Sequence, residues 1–176
     1  MWRQQLLSVP HFAAFTYIQP MLTRIQAVPF SGVSALLLVS GLAGIFGNVI
    51  AGKLIDRHLK RLITLNLFIS AIALVLLGLK GLAPLPIAAI IALLVLWGAA
   101  IAIIFVGLQT WVLRNAGDAA QAASALYVAI FNAAIGLGAL VGGRLLATTG
   151  VQGMALFSAV LLLAGGLLIV KLRKPD

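Results

Sequence analysis

Apolar residues run along this chain in long stretches, and charged positions cut those stretches at regular intervals. Arg3, Arg24, the cluster from Lys53 to Arg61, Lys80, Arg114, Asp118, Arg144 and the tail from Lys171 leave six charge-free intervals, at 4–23, 25–52, 62–79, 81–113, 119–143 and 145–170. None is shorter than 18 residues. A hydrocarbon core about 30 Å thick takes roughly 20 residues of helix at about 1.5 Å each, so the pattern predicts six transmembrane helices. Their expected bounds are about 4–23, 31–55, 62–79, 87–113, 119–146 and 154–170, in a single bundle over residues 1–176. Pro29, Pro84 and Pro86 fall between the predicted helices, where a missing N–H does little harm. The predicted fold class is an all-α membrane protein.

Composition narrows the picture. The 176 residues are 63% hydrophobic and 9% charged, against roughly 45–50% and 25% in soluble domains, which excludes a water-soluble globular domain. The formal charge of +9 would otherwise point to nucleic acid, but the positions of the bases read as topology. With both termini inside, the cytoplasmic side holds Arg3, Lys53, Arg57, Lys60, Arg61, Arg114, Lys171, Arg173 and Lys174, while the other side holds only Arg24, Lys80 and Arg144. The expected partners are the lipid bilayer and its anionic headgroups, with no nucleic acid. Trp2 and Trp111 stand beside Arg3 and Arg114, where interfacial aromatic side chains are expected. Cysteine is absent, so disulfides, thiolate catalysis and cysteine metal sites are excluded, and no cofactor or metal is expected. Residues 4–23 follow a base as a signal peptide would, but they carry His11, Thr16 and Gln19 and no clear small-residue cleavage site, so they are read as a retained helix.

A shift of about 91 positions lays the second predicted helix on the fifth: Ala43, Gly47, Gly52, Lys53, Leu54 and Ile55 meet Ala134, Gly138, Gly143, Arg144, Leu145 and Leu146. Gln19 and Gln109 end the preceding helices at almost the same shift. Under the topology above the two copies cross in opposite senses, which predicts a 3+3 inverted repeat of the kind found in transporters. Polar residues divide the helices further. The first, second, fourth and fifth carry His11, Thr16, Gln19, Asn48, Gln109, Gln121, Ser124 and Asn132, whereas the third and sixth are plainer. Since lipid-facing helices carry polar side chains only at a cost, four cavity helices and two peripheral supports are expected.

The most specific local pattern is Gly52-Lys53-Leu54-Ile55-Asp56-Arg57-His58-Leu59-Lys60-Arg61. A small residue, an acid able to accept guanidinium hydrogen bonds and a run of bases suit a tight turn held at the cytoplasmic face. This resembles the G-x-L-x-D-R-x-G-R-R loop between the second and third helices of each half in the major facilitator superfamily, with Leu59 where glycine is usual. The stretches His11 to Pro20, Gly107 to Trp111, Ala123 to Leu126, Phe131-Asn132 and Gly138 to Gly143 are similar to the seventh, tenth and eleventh helices of bacterial drug:proton antiporter-like carriers, in the branch of sugar-efflux and purine-nucleoside-efflux proteins. The resemblance covers nearly the whole chain but only the C-terminal six of twelve helices. The fourth helix lacks the membrane arginine of a first half, and the fifth lacks the Gly-Pro pair of the antiporter motif.

The resemblance implies a non-enzymatic efflux transporter in the bacterial inner membrane, exchanging a small polar metabolite or drug for protons and needing an N-terminal six-helix half. It also implies a cytoplasmic gate at Gly52, Asp56, Arg57, Lys60 and Arg61, closing against the start of the fifth helix near Asp118. The residues themselves leave a second reading open, a self-contained six-helix homodimeric carrier or non-transport scaffold. All three acids, Asp56, Asp118 and Asp176, lie outside the predicted helices, so a proton-carrying acid has no place within these spans. Substrate-cavity candidates are His11, Thr16, Gln19, Trp97, Gln109, Gln121 and Asn132. Thr16 and Gln19 lie within about 60° of each other on an ideal helix, and Gln121 and Asn132 share a face. With Phe15 and Trp97 nearby, these uncharged groups suit a neutral polar or aromatic metabolite rather than an ion.

Overall fold

The computed structural model describes residues 8–79 and 84–171, which are helical apart from short connections, with no strand among them. Trp2, Arg3, Lys80, Arg173, Lys174, Asp176 and the expected first turn at 4–7 lie outside the described residues. In chain order the elements are α1 (Ser8–Thr16), α2 (Ile18–Arg24), α3 (Phe30–Gly78), α4 (Ile87–Arg114), a short 3₁₀ turn (Gly117–Ala119) and α5 (Ala120–Lys171). The stretches Phe30–Gly78, Ile87–Arg114 and Gly117–Lys171 are long and apolar enough to cross a membrane.

Two of these helices are broken within. α3 has 49 residues, which as a straight rod would reach about 74 Å, more than twice a hydrocarbon core. It is interrupted at His58, where φ is −131° and ψ 22°, leaving arms at 30–57 and 59–78. α5 is interrupted at Gly150, whose φ of 72° lies in the left-handed region that only glycine enters freely, leaving arms at 120–149 and 151–171. The expected helices at 31–55 and 62–79 thus extend into the stretch 56–61 between them, and the expected loop shrinks to a single non-helical residue. Polar side chains forbid membrane burial but not helix: Asp56 and Arg57 keep turning up to the break at His58, and Leu59 to Arg61 open the next arm. The expected first helix is likewise divided, at Tyr17 (φ −111°, ψ 26°). Pro20 accounts for this: it has no N–H to give to Thr16, and its ring collides with that carbonyl.

Contacts show that the chain reverses at His58 and at Gly150. Along the first arm of α3, Gly44 lies against Gly98, Gly47 against Ala99 and Asp56 beside Arg114, so this arm and α4 run the same way. The second arm runs back, with Ile63 against Gly107. It also lies antiparallel to the second arm of α5: Lys60 donates to the Val170 carbonyl at 2.8 Å, Leu67 lies against Gly166 and Gly78 against Ala155. α1 lies along the first arm of α5, where Gly138 receives Val9 and Phe12 and Gly142 receives Ala13. Small residues at these crossings let backbones approach, and that packing is the main source of cohesion where lipid removes the hydrophobic drive between helices. A Cβ on Gly98 would collide with the Ser40 carbonyl, and one on Gly47 with the Ala99 backbone.

The second arms of α3 and α5 bury a plain core, in which Ile63, Leu67, Leu74, Leu77, Met154 and Leu162 are fully enclosed. One end of the bundle gathers 56–61, 114–120 and Val170, and the opposite end gathers 24–30, 76–79, 84–87 and 149–152. At the second end Gln26 acts as a clamp. It is 5% exposed, donates to the Leu77 carbonyl at 2.9 Å and accepts the Leu85 N–H at 2.9 Å, tying the connection after α2 to the last turn of α3 and to the residues just before α4. Many large apolar side chains, among them Phe46, Leu65, Ile72, Leu140 and Val160, are left on the outer surface, as expected of a chain whose solvent is lipid.

Candidate functional site: an aromatic cleft and a basic end

A cleft of about 560 Å³ opens between α1, the first arm of α3, α4 and the first arm of α5. These four segments are the ones in which polar residues concentrate, and neither second arm contributes to the lining. α1 supplies His11, Phe12 and Phe15, and α4 supplies Trp97, Ile101 and Phe105 at successive i, i+4 positions of one helical face. The first arm of α3 adds Ser40, Gly44 and Asn48 at the same spacing, and α5 adds Phe131 and Ile135.

The rings form one connected assembly. His11 stacks on Phe15 with centroids 5.5 Å apart and meets Trp97 edge-on at 5.5 Å and Phe105 at 5.4 Å. Phe105 in turn stacks on Phe12 at 5.7 Å and meets Phe131 edge-on at 4.8 Å. Such edge and offset contacts follow the ring quadrupoles and fix the cleft wall. Tyr127 braces it by donating to the Phe105 carbonyl at 3.0 Å, and Tyr17 ties α1 to α5 by donating to the Ala139 carbonyl at 2.9 Å. Two polar atoms in this wall, His11 Nδ1 and Trp97 Nε1, are buried without a hydrogen-bond partner. A buried group in that state costs free energy, which a ligand able to pair with it would recover.

The sequence candidates separate accordingly. His11 and Trp97 line the cleft. Thr16, Gln19, Gln109, Gln121 and Asn132 are not among its lining residues. Thr16, Gln19, Gln121 and Asn132 are exposed, and Asn132 Nδ2 donates within its own helix to the Val128 carbonyl. The ideal-helix angle between Thr16 and Gln19 does not apply, because the chain breaks at Tyr17 between them. Sequence reasoning missed Phe12, Ser40, Phe105 and Phe131 as wall residues. The available signal was the i, i+4, i+8 recurrence of Ser40-Gly44-Asn48 and Trp97-Ile101-Phe105.

A second concave feature, about 320 Å³, lies where α3 breaks and is lined by Asp56 to Arg61 and Arg114. Gly52 lies one turn before Asp56, exposed on the first arm of α3. Asp56 Oδ1 accepts from Arg114 Nη2 at 2.6 Å, an ion pair to the end of α4. The expected contact of Asp56 with the beginning of the fifth predicted helix is therefore corrected: Arg114 is the partner, and Asp118 sits in the 3₁₀ turn without an ion pair among the described residues. Trp111, expected at the lipid interface, is instead buried at 6% exposure within the core.

Comparison with known families matches residues 6–176 to the model of the Major Facilitator Superfamily, nearly the full length of the chain. The family model and the long apolar helices agree on a multi-pass membrane protein. This chain belongs to the major facilitator superfamily of membrane transporters.

Proposed function

We propose that the chain forms one six-helix half of an efflux carrier for a small neutral metabolite or drug, C-terminal to a second half of similar size. In this reading α1 with α2, the two arms of α3, α4 and the two arms of α5 make six membrane crossings in a bacterial inner membrane, with both termini cytoplasmic. The two three-helix units are then inverted copies, and the close contacts support that symmetry. Gly47 rests on Ala99 and Gly138 on Val9, so a shift of about 91 residues converts one crossing into the other.

The observation that carries the proposal is the cleft itself: aromatic walls, only neutral polar groups, and an open side that a second bundle would complete. Phe15, 43% exposed, marks that open side. A substrate ring would stack on the phenylalanines, with Trp97 Nε1 and His11 available for hydrogen bonds. Rocking of the two halves would then carry it across, with the Asp56–Arg114 contact biasing closure at the cytoplasmic end.

Proton exchange needs an acid within the membrane, and Asp56 and Asp118 stand at a helix break and in a turn. The coupling acid therefore belongs to the other half. Proteoliposomes under an imposed proton gradient test this. Expected results are no coupled transport by the purified chain and proton-driven export when it is reconstituted with an N-terminal six-helix half. Antiport by the isolated monomer would remove the need for a second half, and antiport by a homodimer would replace that half with a second copy.

A further inference from the structure

The pocket at the break of α3 holds more charge than the Asp56–Arg114 ion pair accounts for. Four bases, Arg57, Lys60, Arg61 and Arg114, line it against the single acid Asp56. The acid is already paired with Arg114, and Lys60 donates to the Val170 carbonyl. Arg57 and Arg61 have neither an ion pair nor a hydrogen-bond partner among the described residues. Two unpaired guanidinium groups, each with a planar fork of donors, therefore share a concavity of about 320 Å³ at one end of the bundle.

We propose that this pocket binds a phosphate group, held by Arg57 and Arg61 with Arg114 behind them. Membrane lipid is the source the surface favours. Below Arg61, on the same helical face, Leu65 and Ile72 are exposed at 58% and 56%, an apolar track along which an acyl chain lies while its headgroup sits at the arginines. Asp56 stays out of the way only while Arg114 holds it, so phosphate binding and the Asp56–Arg114 ion pair support each other. A bound anionic lipid then strengthens closure at this end.

The test is lipid retention by the reconstituted carrier. Purified protein is exchanged into nanodiscs of phosphatidylcholine with or without phosphatidylglycerol, and bound lipid is counted by native mass spectrometry. Phosphatidylglycerol is expected to be retained over phosphatidylcholine, and R57Q/R61Q to lower that preference roughly tenfold. R57K/R61K keeps the charge and retains most of it, whereas R24Q/R144Q, altered at bases outside this pocket, leaves it unchanged. A parallel arm adds inorganic phosphate to phosphatidylcholine discs. Arginine-dependent binding there assigns the site to a soluble anion, and binding only of the lipid assigns it to the bilayer. Equal retention of both lipids with no phosphate bound, or an equal loss in R24Q/R144Q, overturns the proposal.

Discussion

The aromatic cleft and the basic end are both concave, yet they are built on opposite terms. In the cleft nearly every group is apolar, the few polar ones carry no Lys, Arg, Asp or Glu, and His11 Nδ1 and Trp97 Nε1 are buried and unpaired. At the basic end the groups are charged and mostly exposed, and the ion pair there joins an Asp56 side chain that is 80% exposed to an Arg114 that is 31% exposed. Water and lipid headgroups screen the second region and not the first. A change of one polar atom therefore weighs heavily in the cleft and lightly at the end, even though the end looks more polar. The cleft is specified by shape, whereas the end is specified by charge placement around one backbone break.

The sharpest way to probe this difference is through Trp97. It is 1% exposed and carries edge contacts to His11 and Phe15. Trp97→Ala should destabilise the bundle by about 3 kcal/mol, read as a lowered melting temperature in detergent, because the surrounding rings cannot collapse to fill the space. Trp97→Phe separates packing from recognition: it keeps most of the ring but removes the unpaired Nε1–H. Stability should then stay within about 1 kcal/mol of the parent while substrate affinity falls roughly tenfold. If affinity falls no further than stability predicts, the indole N–H has no part in binding. Gly98→Val comes next, at about 2–3 kcal/mol, since its side chain would drive α4 off the Ser40 carbonyl and narrow the cleft at the same time.

How much of this was legible in the sequence depends on what each feature rests on. The long apolar helices were legible because charge is expensive in lipid and the intervals between charges are long. The pairing of Asp56 with Arg114 was not, because it depends on how far α3 continues before breaking, and a helix of polar residues looks like a loop to a hydropathy argument. His11 and Trp97 could be placed on the cavity side because a histidine and a tryptophan within an apolar span need a reason to be there. Thr16, Gln19 and Asn132 lie outside this cleft, and a polar residue in a helix does not by itself require one. Asn132, for one, is satisfied within its own helix by the Val128 carbonyl. Phe105 and Phe131 gave the opposite difficulty, since a phenylalanine in a lipid-facing sequence does not announce that it faces inward.

Gln26 sharpens the comparison from the far end of the bundle. It is polar like the basic end but buried like the cleft, and its amide serves one partner in the last turn of α3 and one just before α4. Gln26→Ala should cost about 2 kcal/mol, since the Leu85 N–H and the Leu77 carbonyl lose their partner in a protected place. Gln26→Glu distinguishes the two bonds: the oxygen facing the Leu85 N–H is kept, while the donor to Leu77 is replaced by a carboxylate. A loss as large as that of alanine would show that the donor half dominates.

The smallest effect on stability is expected at Asp56, and that is the informative result. Its ion pair is short but exposed, so Asp56→Asn should change unfolding by less than about 1 kcal/mol in detergent, and the difference should shrink further in high salt. If the contact biases closure, however, the same substitution in a reconstituted two-half carrier changes the balance between open and closed states. A bias of that size is enough to alter turnover several-fold while substrate affinity stays near the parent value. Arg114→Gln should reproduce both results, and the double variant should add little to either single change if the two residues act as one contact. Additive losses of turnover would mean that Asp56 and Arg114 act on different steps, and unchanged turnover in all three would leave the ion pair as a surface contact without a role in switching.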